Sequence, residues 1–206
     1  MSQDVPKKLP HNLELLLQKA ELPSVEDVHD HFKAGIFLNK KTVRCWTDRT
    51  THSNSFMLYS RALSIERSED PSYWRWLWLE GDMDVEVAEM LKMCPVKIKG
   101  SFEMNHFNPG EKYEVMFLMM MKNPHVPDVE PLVKMTVELP NGTTQEKELS
   151  LKAMVPGQWA QVKAGEFVGT EEGGDVGFSL STSEEVEWEK GLIVEGVLIE
   201  PCVDRK

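Results

Sequence analysis

From Gly35 onward the chain reads as short runs in which apolar and polar residues alternate, broken by Gly, Pro and Asn. A period of two places successive side chains on opposite faces of a strand, so these runs predict an all-β domain. The predicted strands are Phe56 to Ile65, Tyr73 to Leu79, Val96 to Phe102, Tyr113 to Lys122, Val133 to Leu139, Gln145 to Leu151, Trp159 to Phe167, Val176 to Leu180 and Leu192 to Ile199. Met116 to Met121 is apolar on both faces, as a strand covered by two layers should be. Pro140-Asn141-Gly142-Thr143 predicts a hairpin turn, because Asn-Gly accepts the positive φ angles of a two-residue loop. One stretch departs from the strand pattern: Val85, Ala88 and Leu91 fall at helical spacing ahead of Pro95, which predicts a helix over Asp84 to Lys92.

Before Gly35 the period changes. Leu13, Leu16, Leu17 and Ala20 repeat at helical spacing up to Pro23, and Ser24 reads as the N-cap of a second helix carrying Val25, Val28 and Phe32, stopped by Gly35. Helices this short are not stable alone, so each must dock on a larger body. The change of texture divides the chain into a helical extension, residues 1–35, and a β-domain, residues 36–206, which is expected to close its own core.

The run Tyr73-Trp74-Arg75-Trp76-Leu77-Trp78-Leu79 holds three of the six tryptophans. Strand geometry lines the three indoles up on one face, whereas a helix would scatter them. Two readings fit: a strand buried between two layers, or a strand with at least one indole at the mouth of a groove as a flat stacking surface. A second isolated indole, Trp188, lies in the acidic stretch Glu184 to Lys190. An exposed Trp among carboxylates suits a sugar, whose C–H face stacks on the ring while its hydroxyls donate to the acids; an edge-strand Trp packed under charged neighbours fits equally.

Composition narrows the classes. Charge is 23 basic against 34 acidic residues, a net of −11, which repels phosphate backbones and disfavours nucleic-acid binding. Cys45, Cys94 and Cys202 are an odd number without metal-ligand spacing, so reduced thiols are expected. The polar N-terminus has no signal-peptide or membrane-span run, which predicts a soluble intracellular protein. No catalytic motif is present among GxSxG, HExxH, phosphate-loop and dinucleotide patterns. His11, His29, His31, His52, His106 and His125 show no ligand spacing and are expected on the surface, so no metal and no cofactor is predicted.

The ordered blocks Arg61-Ala62-Leu63-Ser64-Ile65, Asp70-Pro71-x-Tyr73-Trp74-Arg75-Trp76, Glu86 to Leu91, Val96-x-Ile98-x-Gly100, Trp159, Gly165-Glu166-Phe167 and Gly191 to Pro201 resemble the phloem protein two family, the Nictaba-related plant lectins. The likeness runs from about Gly35 to Pro201. It implies a jelly-roll-like antiparallel β-sandwich that binds N-acetylglucosamine oligomers (chitooligosaccharides or the N-glycan core of glycoproteins), without metal or catalysis, in the cytoplasm of phloem sieve elements and companion cells. It further implies a role in plant defence, a homodimer, a phloem filament protein as partner and an association with RNA, which the net charge does not support. The family's carbohydrate site is associated with two tryptophans seven residues apart; Trp74 stands at the second position and Arg67 at the first. The resemblance thus implies Arg67, Trp74, Trp76, Trp188 and Lys190 as carbohydrate-binding residues.

Overall fold

The alternating runs pair into two antiparallel sheets packed face to face. The computed structural model describes residues 9–20, 22, 26–79, 81–92, 94–122, 132–182 and 191–203, with the backbone alone at 82–84. Along the chain come α1 (Leu13–Lys19), α2 (Val28–Ala34), β1 (Ile36–Leu38), β2 (Val43–Thr47), β3 (Asn54–Tyr59), β4 (Ser64–Ile65), β5 (Trp74–Leu79), β6 (Asp82–Met90) and β7 (Lys97–Glu103). They are followed by β8 (Lys112–Met121), β9 (Leu132–Glu138), β10 (Thr144–Ser150), β11 (Trp159–Val168), β12 (Asp175–Thr182) and β13 (Leu192–Pro201).

The larger sheet is organised on β13. One edge of β13 pairs with β8, which carries β11; the other is shared, Gly196–Ile199 bonding to β3 and Ile193–Val194 to β6. From that fork the sheet runs out as β3-β2-β1 on one branch and β6-β5 on the other. The smaller sheet has the order β10-β9-β12-β7-β4. Its inward positions, among them Val133, Met135, Val137, Val176, Phe178 and Leu180, alternate with outward polar ones and meet Phe56, Leu58, Phe117, Met119, Val197 and Ile199 of the larger sheet in one core.

Three sequence expectations change. Asp84 to Lys92 is not helical: all but its last two residues lie in β6, between β5 and β13, with Val85, Val87, Ala88 and Met90 all nearly inaccessible. Burial on both faces erased the alternation, and strand pairing on both edges overrode a helical spacing of three apolar residues. The run Phe56 to Ile65 is likewise two strands. A 3-10 turn at Ser60–Ala62 ends β3, and β4 crosses to pair with β7 in the smaller sheet. The Asn-Gly hairpin is present between β9 and β10, but positive φ occurs only at Gly142; Asn141 instead accepts the Thr143 N–H with its side chain.

The helical extension forms where predicted, although Ser24 lies outside the described residues and Asp27 stands at the N-cap of α2. Leu16 and Phe32 are fully buried in the same core as the strands. Ala20 bridges to Leu38, and Asn54 joins α1 to the sandwich by accepting from His11 N and donating to His11 and His106 carbonyls. His106 is not on the surface. It is buried against Phe102 and Phe56, and burial, with the Lys19 ammonium nearby, holds its pKa below the usual histidine range.

Candidate functional site

Strand β5 is one of the edges of the larger sheet, and it carries the aromatic run. Its register on β6 sets Trp74 opposite Met90, Trp76 opposite Ala88 and Trp78 opposite Glu86. All three indoles share a face, but the core beneath that face ends before the strand does. Trp74 is 1% exposed and donates its indole N–H to the Glu66 carbonyl at 3.1 Å. With the ring enclosed and its polar edge satisfied, Trp74 packs as a core anchor and presents almost no surface for stacking. Trp76 is half-buried, and its ring is covered by the Arg61 guanidinium, whose Cζ is 3.5 Å from the ring centroid. Trp78, two residues on, is 61% exposed.

Beside Trp78 is a depression of about 260 Å³ walled by Lys40, Thr42, Tyr59, Arg61 and Glu86. Arg61 has two functions in it: it lies flat on Trp76 and it donates from Nε to Glu86 Oε2 at 2.8 Å. The guanidinium is thereby fixed in plane, which leaves donors and a carboxylate edge at defined positions next to an open indole. The far wall comes from the turn between β1 and β2, where Asn39, Lys40 and Lys41 adopt positive φ in succession, at 51°, 56° and 63°. Non-glycine residues in that region cost roughly 1 kcal/mol or more each. Thr42 holds the turn by donating its hydroxyl to Asn39 O at 2.8 Å. Arg61, Trp78 and Glu86 thus lie together around one depression as a candidate site. The sequence reading missed Arg61 because it sat inside a presumed continuous strand, and Glu86 because it sat in a presumed helix.

Arg67 lies near the opposite end of β5. It has a φ of 63°, and its guanidinium carbon is 4.7 Å from the Tyr73 ring centroid, with the Lys92 ammonium 5.3 Å from the same ring. The following turn is closed by Asp70, which accepts from the hydroxyl and backbone N–H of Ser72; these bonds, with Lys92 and Arg67 nearby, hold its carboxyl below the usual range. Arg67 and Trp74 do border one loop, since the indole N–H bonds to the carbonyl just before Arg67, but one side chain faces out and the other in. Trp188 and Lys190 lie outside the described residues. The residues that bound their segment, Thr182 and Gly191, bond to Val96 and Met90, close to where Leu91 bonds to Tyr73.

One described group, Glu114, Glu166 and Cys202, has the spacing of a cation site. Lys163 already sits in it, Nζ 2.6 Å from Glu114 and 2.7 Å from Glu166, and Lys112 is 2.6 Å from Glu166. The two ammonium groups push Glu166 down to about 2, so the positive charge there is supplied by the protein itself.

The sequence profile of the family Phloem protein 2 matches residues 53–201, most of the chain. The chain belongs to the phloem protein 2 family. Among curated members it is similar to the "Lectin" of Luffa acutangula, 36% identical over 94% of this chain and 95% of that one. It is also similar to "Protein PHLOEM PROTEIN 2-LIKE A1" of Arabidopsis thaliana, 34% identical over 94% of this chain and 82% of that one. Among solved structures it is similar to the xylan-binding domain CBM22-1 of Paenibacillus barcinonensis Xyn10C, with 12% identity and a TM-score of 0.38 over 77% of this chain and 92% of that domain. Among the described residues no helix is long and apolar enough to cross a membrane.

Proposed function

We propose that this phloem protein 2 family member is a non-catalytic lectin of the phloem cytoplasm that binds N-acetylglucosamine oligomers, as chitooligosaccharides or as the core of N-glycans, and that the sugar sits on Trp78. The observation that carries this reading is the 61% exposed indole at the end of an otherwise buried aromatic row, beside an Arg61–Glu86 pair already fixed in place. A sugar presents an apolar C–H face and a hydroxyl edge. The first stacks on the indole, and the second accepts from Arg61 and Lys40 and donates to Glu86. Trp74 and Trp76 act beneath this surface by locking β5. Arg67 stands at the Tyr73 end of the strand, where it tunes selectivity rather than supplying the platform, and Trp188 and Lys190 are kept as candidate carbohydrate-binding residues from the family resemblance. The name of the Luffa relative supports carbohydrate binding as the class.

A shallow site with one stacking ring should bind chitotriose with Kd on the order of 10 μM to 1 mM. Calorimetry and tryptophan fluorescence read this directly. Absence of heat and of any fluorescence change at millimolar chitotriose would refute the assignment.

A further inference from the structure

A groove of about 530 Å³ lies on the face of the larger sheet that turns away from the main core, and the Trp78 pocket leaves it unused. Met57 and Leu198 of its lining belong to a second, smaller apolar cluster, against which Trp46 and Leu118 pack. Glu195 also lines it, and the chain is deformed to place it there. Pairing of β13 with β8 passes from Val194–Met119 to Gly196–Leu118, skipping Glu195, which is a β-bulge. Bulges leave one residue unpaired and re-aim its side chain.

The bulge is held from two sides. Gly196 has a φ of 155°, and a Cβ on it would lie 1.9 Å from the Leu58 carbonyl oxygen, so no other residue fits. The buried Ser60 hydroxyl donates to the carbonyls of Val194, at 2.6 Å, and Glu195, at 3.2 Å. The carboxylate so placed is half-buried, no donor among the described residues reaches it, and burial pushes its pKa up. The Ser60 bonds secure the bulge, but the desolvated acid it carries costs the fold, and no contact among the described residues offsets that cost.

The surroundings select the ligand. Lys33, Arg44 and Arg49 line the groove and disfavour a cation, while Glu195 at its wall disfavours an anion. Asp48 is engaged in its own turn, accepting from Thr50 and Thr51, and Arg44 donates to Ala34 O. What fits is a neutral molecule with an apolar face and hydrogen-bond donors. We propose that this groove is a second saccharide site, in which Glu195 accepts hydrogen bonds from ligand hydroxyl or acetamido N–H groups and Trp46 contributes the apolar wall. The ligand class rests on the lectin reading; the site itself rests on the bulge. Tyr59 lines both depressions, so the two sites are neighbours.

Calorimetry of the full chain with chitotriose, and in parallel with mannotriose, tests it on the wild type, Trp78→Ala and Glu195→Gln. The expected result is two sugars per chain in the wild type and one retained in each variant, with Glu195→Gln weakening its site by on the order of tenfold, the usual loss for a hydrogen bond to a charged acceptor. Glu195→Gln should melt no lower than the wild type, because it removes a charge that burial penalises; a merely structural glutamate would lower the melting temperature. Trp46→Ala should lose the same site and serves as the second variant. A stoichiometry of one, abolished by Trp78→Ala and untouched by Glu195→Gln, overturns the second site and leaves the lectin reading standing. No heat with either sugar overturns both.

Discussion

The two ends of β5 carry the same contact, an arginine laid on an aromatic ring, in different settings. At one end Arg61 is 3.5 Å from the Trp76 centroid, hydrogen-bonded to Glu86 and next to an exposed indole. At the other Arg67 is 4.7 Å from the Tyr73 centroid, beside an indole that is fully inside the core. Cation–π attraction is similar in kind at both ends, about 0.5–1 kcal/mol at exposed positions, so the contact itself does not make a site. The difference lies underneath. Where the core continues under the strand, tryptophan is structure; where the core ends, the same row of side chains emerges as an open aromatic surface, the one proposed above to take the sugar.

The sharpest way to break this comparison is to truncate the two tryptophans separately. Trp74→Ala should lower stability by about 3–5 kcal/mol, the range for removing a buried large aromatic, and weaken sugar binding only through loss of folded protein. Trp78→Ala should change stability by no more than about 0.5 kcal/mol and abolish the stronger chitotriose binding. Melting curves beside calorimetric titrations measure both. A Trp74→Ala protein that melts like the wild type, or a Trp78→Ala protein that binds like it, would reverse the assignment of the two ends.

This contrast also shows what was legible in the sequence. Alternation was enough for the sandwich, because most strands bury one face only; β9 and β12 repeat buried and open positions almost without fault. It failed at β6, buried on both faces, and at Ser60–Ala62, where the chain changes sheet with no Gly or Pro to mark the break. Period two correctly set Trp74, Trp76 and Trp78 on one face. It could not say where along that face the core stops, since this depends on Met90 and Ala88 lying opposite the first two and Glu86 opposite the third. Arg61 and Glu86 come from separate strands and turns, 25 positions apart, with no local motif to join them. Likewise the Glu195 bulge shows in the sequence only as one glycine in an apolar strand, a weak signal that β13 is irregular.

A second test acts on the opposite face of β5. Glu89 is buried and ties the strand to the residue just past the end of β8, accepting from Arg75 at 2.6 Å and Lys122 at 2.8 Å. Burial works to raise its pKa, but the hydrogen bonds from Lys122 and Arg75 outweigh it, and the net shift is downward. A carboxyl depressed in the folded state contributes stability that is fully present above its unfolded pKa, roughly 4.3, and is lost as pH falls through that value toward the folded one. Glu89→Gln should therefore lower stability at neutral pH by about 1–2 kcal/mol and flatten the acid limb of the stability profile. Denaturant titrations from pH 7 to pH 3 would show it. Equal acid sensitivity in wild type and variant would mean that β5 is held by its indoles alone.

A smaller effect separates the two arginines. Arg61→Ala removes the cover of Trp76 and the orienting partner of Glu86, so chitotriose affinity should fall by about three- to tenfold with stability changed by roughly 1 kcal/mol or less. Arg67→Ala should leave affinity within twofold and cost a similar small amount of stability. Matched titrations compare them; equal affinity losses would mean that the site spans both ends.

The smallest expected effect is the most informative about the resemblance that first singled out Arg67. That position stands where the family's pattern has a tryptophan, so Arg67→Trp restores the pair of indoles seven residues apart. If those positions formed the sugar platform, the variant should gain about 1 kcal/mol, or fivefold, from a second stacking ring. The geometry argues otherwise. Trp74 has no free face to share, and Tyr73 is five residues from Trp78, on the order of 15 Å along an extended strand, too far for one ring to reinforce the other on a single sugar. A tryptophan at Arg67 would inherit the positive φ and the face of Tyr73, exchanging a cation–π contact for an aromatic one of similar size. Chitotriose affinity in Arg67→Trp should therefore stay within twofold of the wild type, with stability shifted by less than about 1 kcal/mol. A fivefold gain in a variant of unchanged melting temperature would move the platform to the Tyr73 end and leave Trp78 as an exposed edge residue.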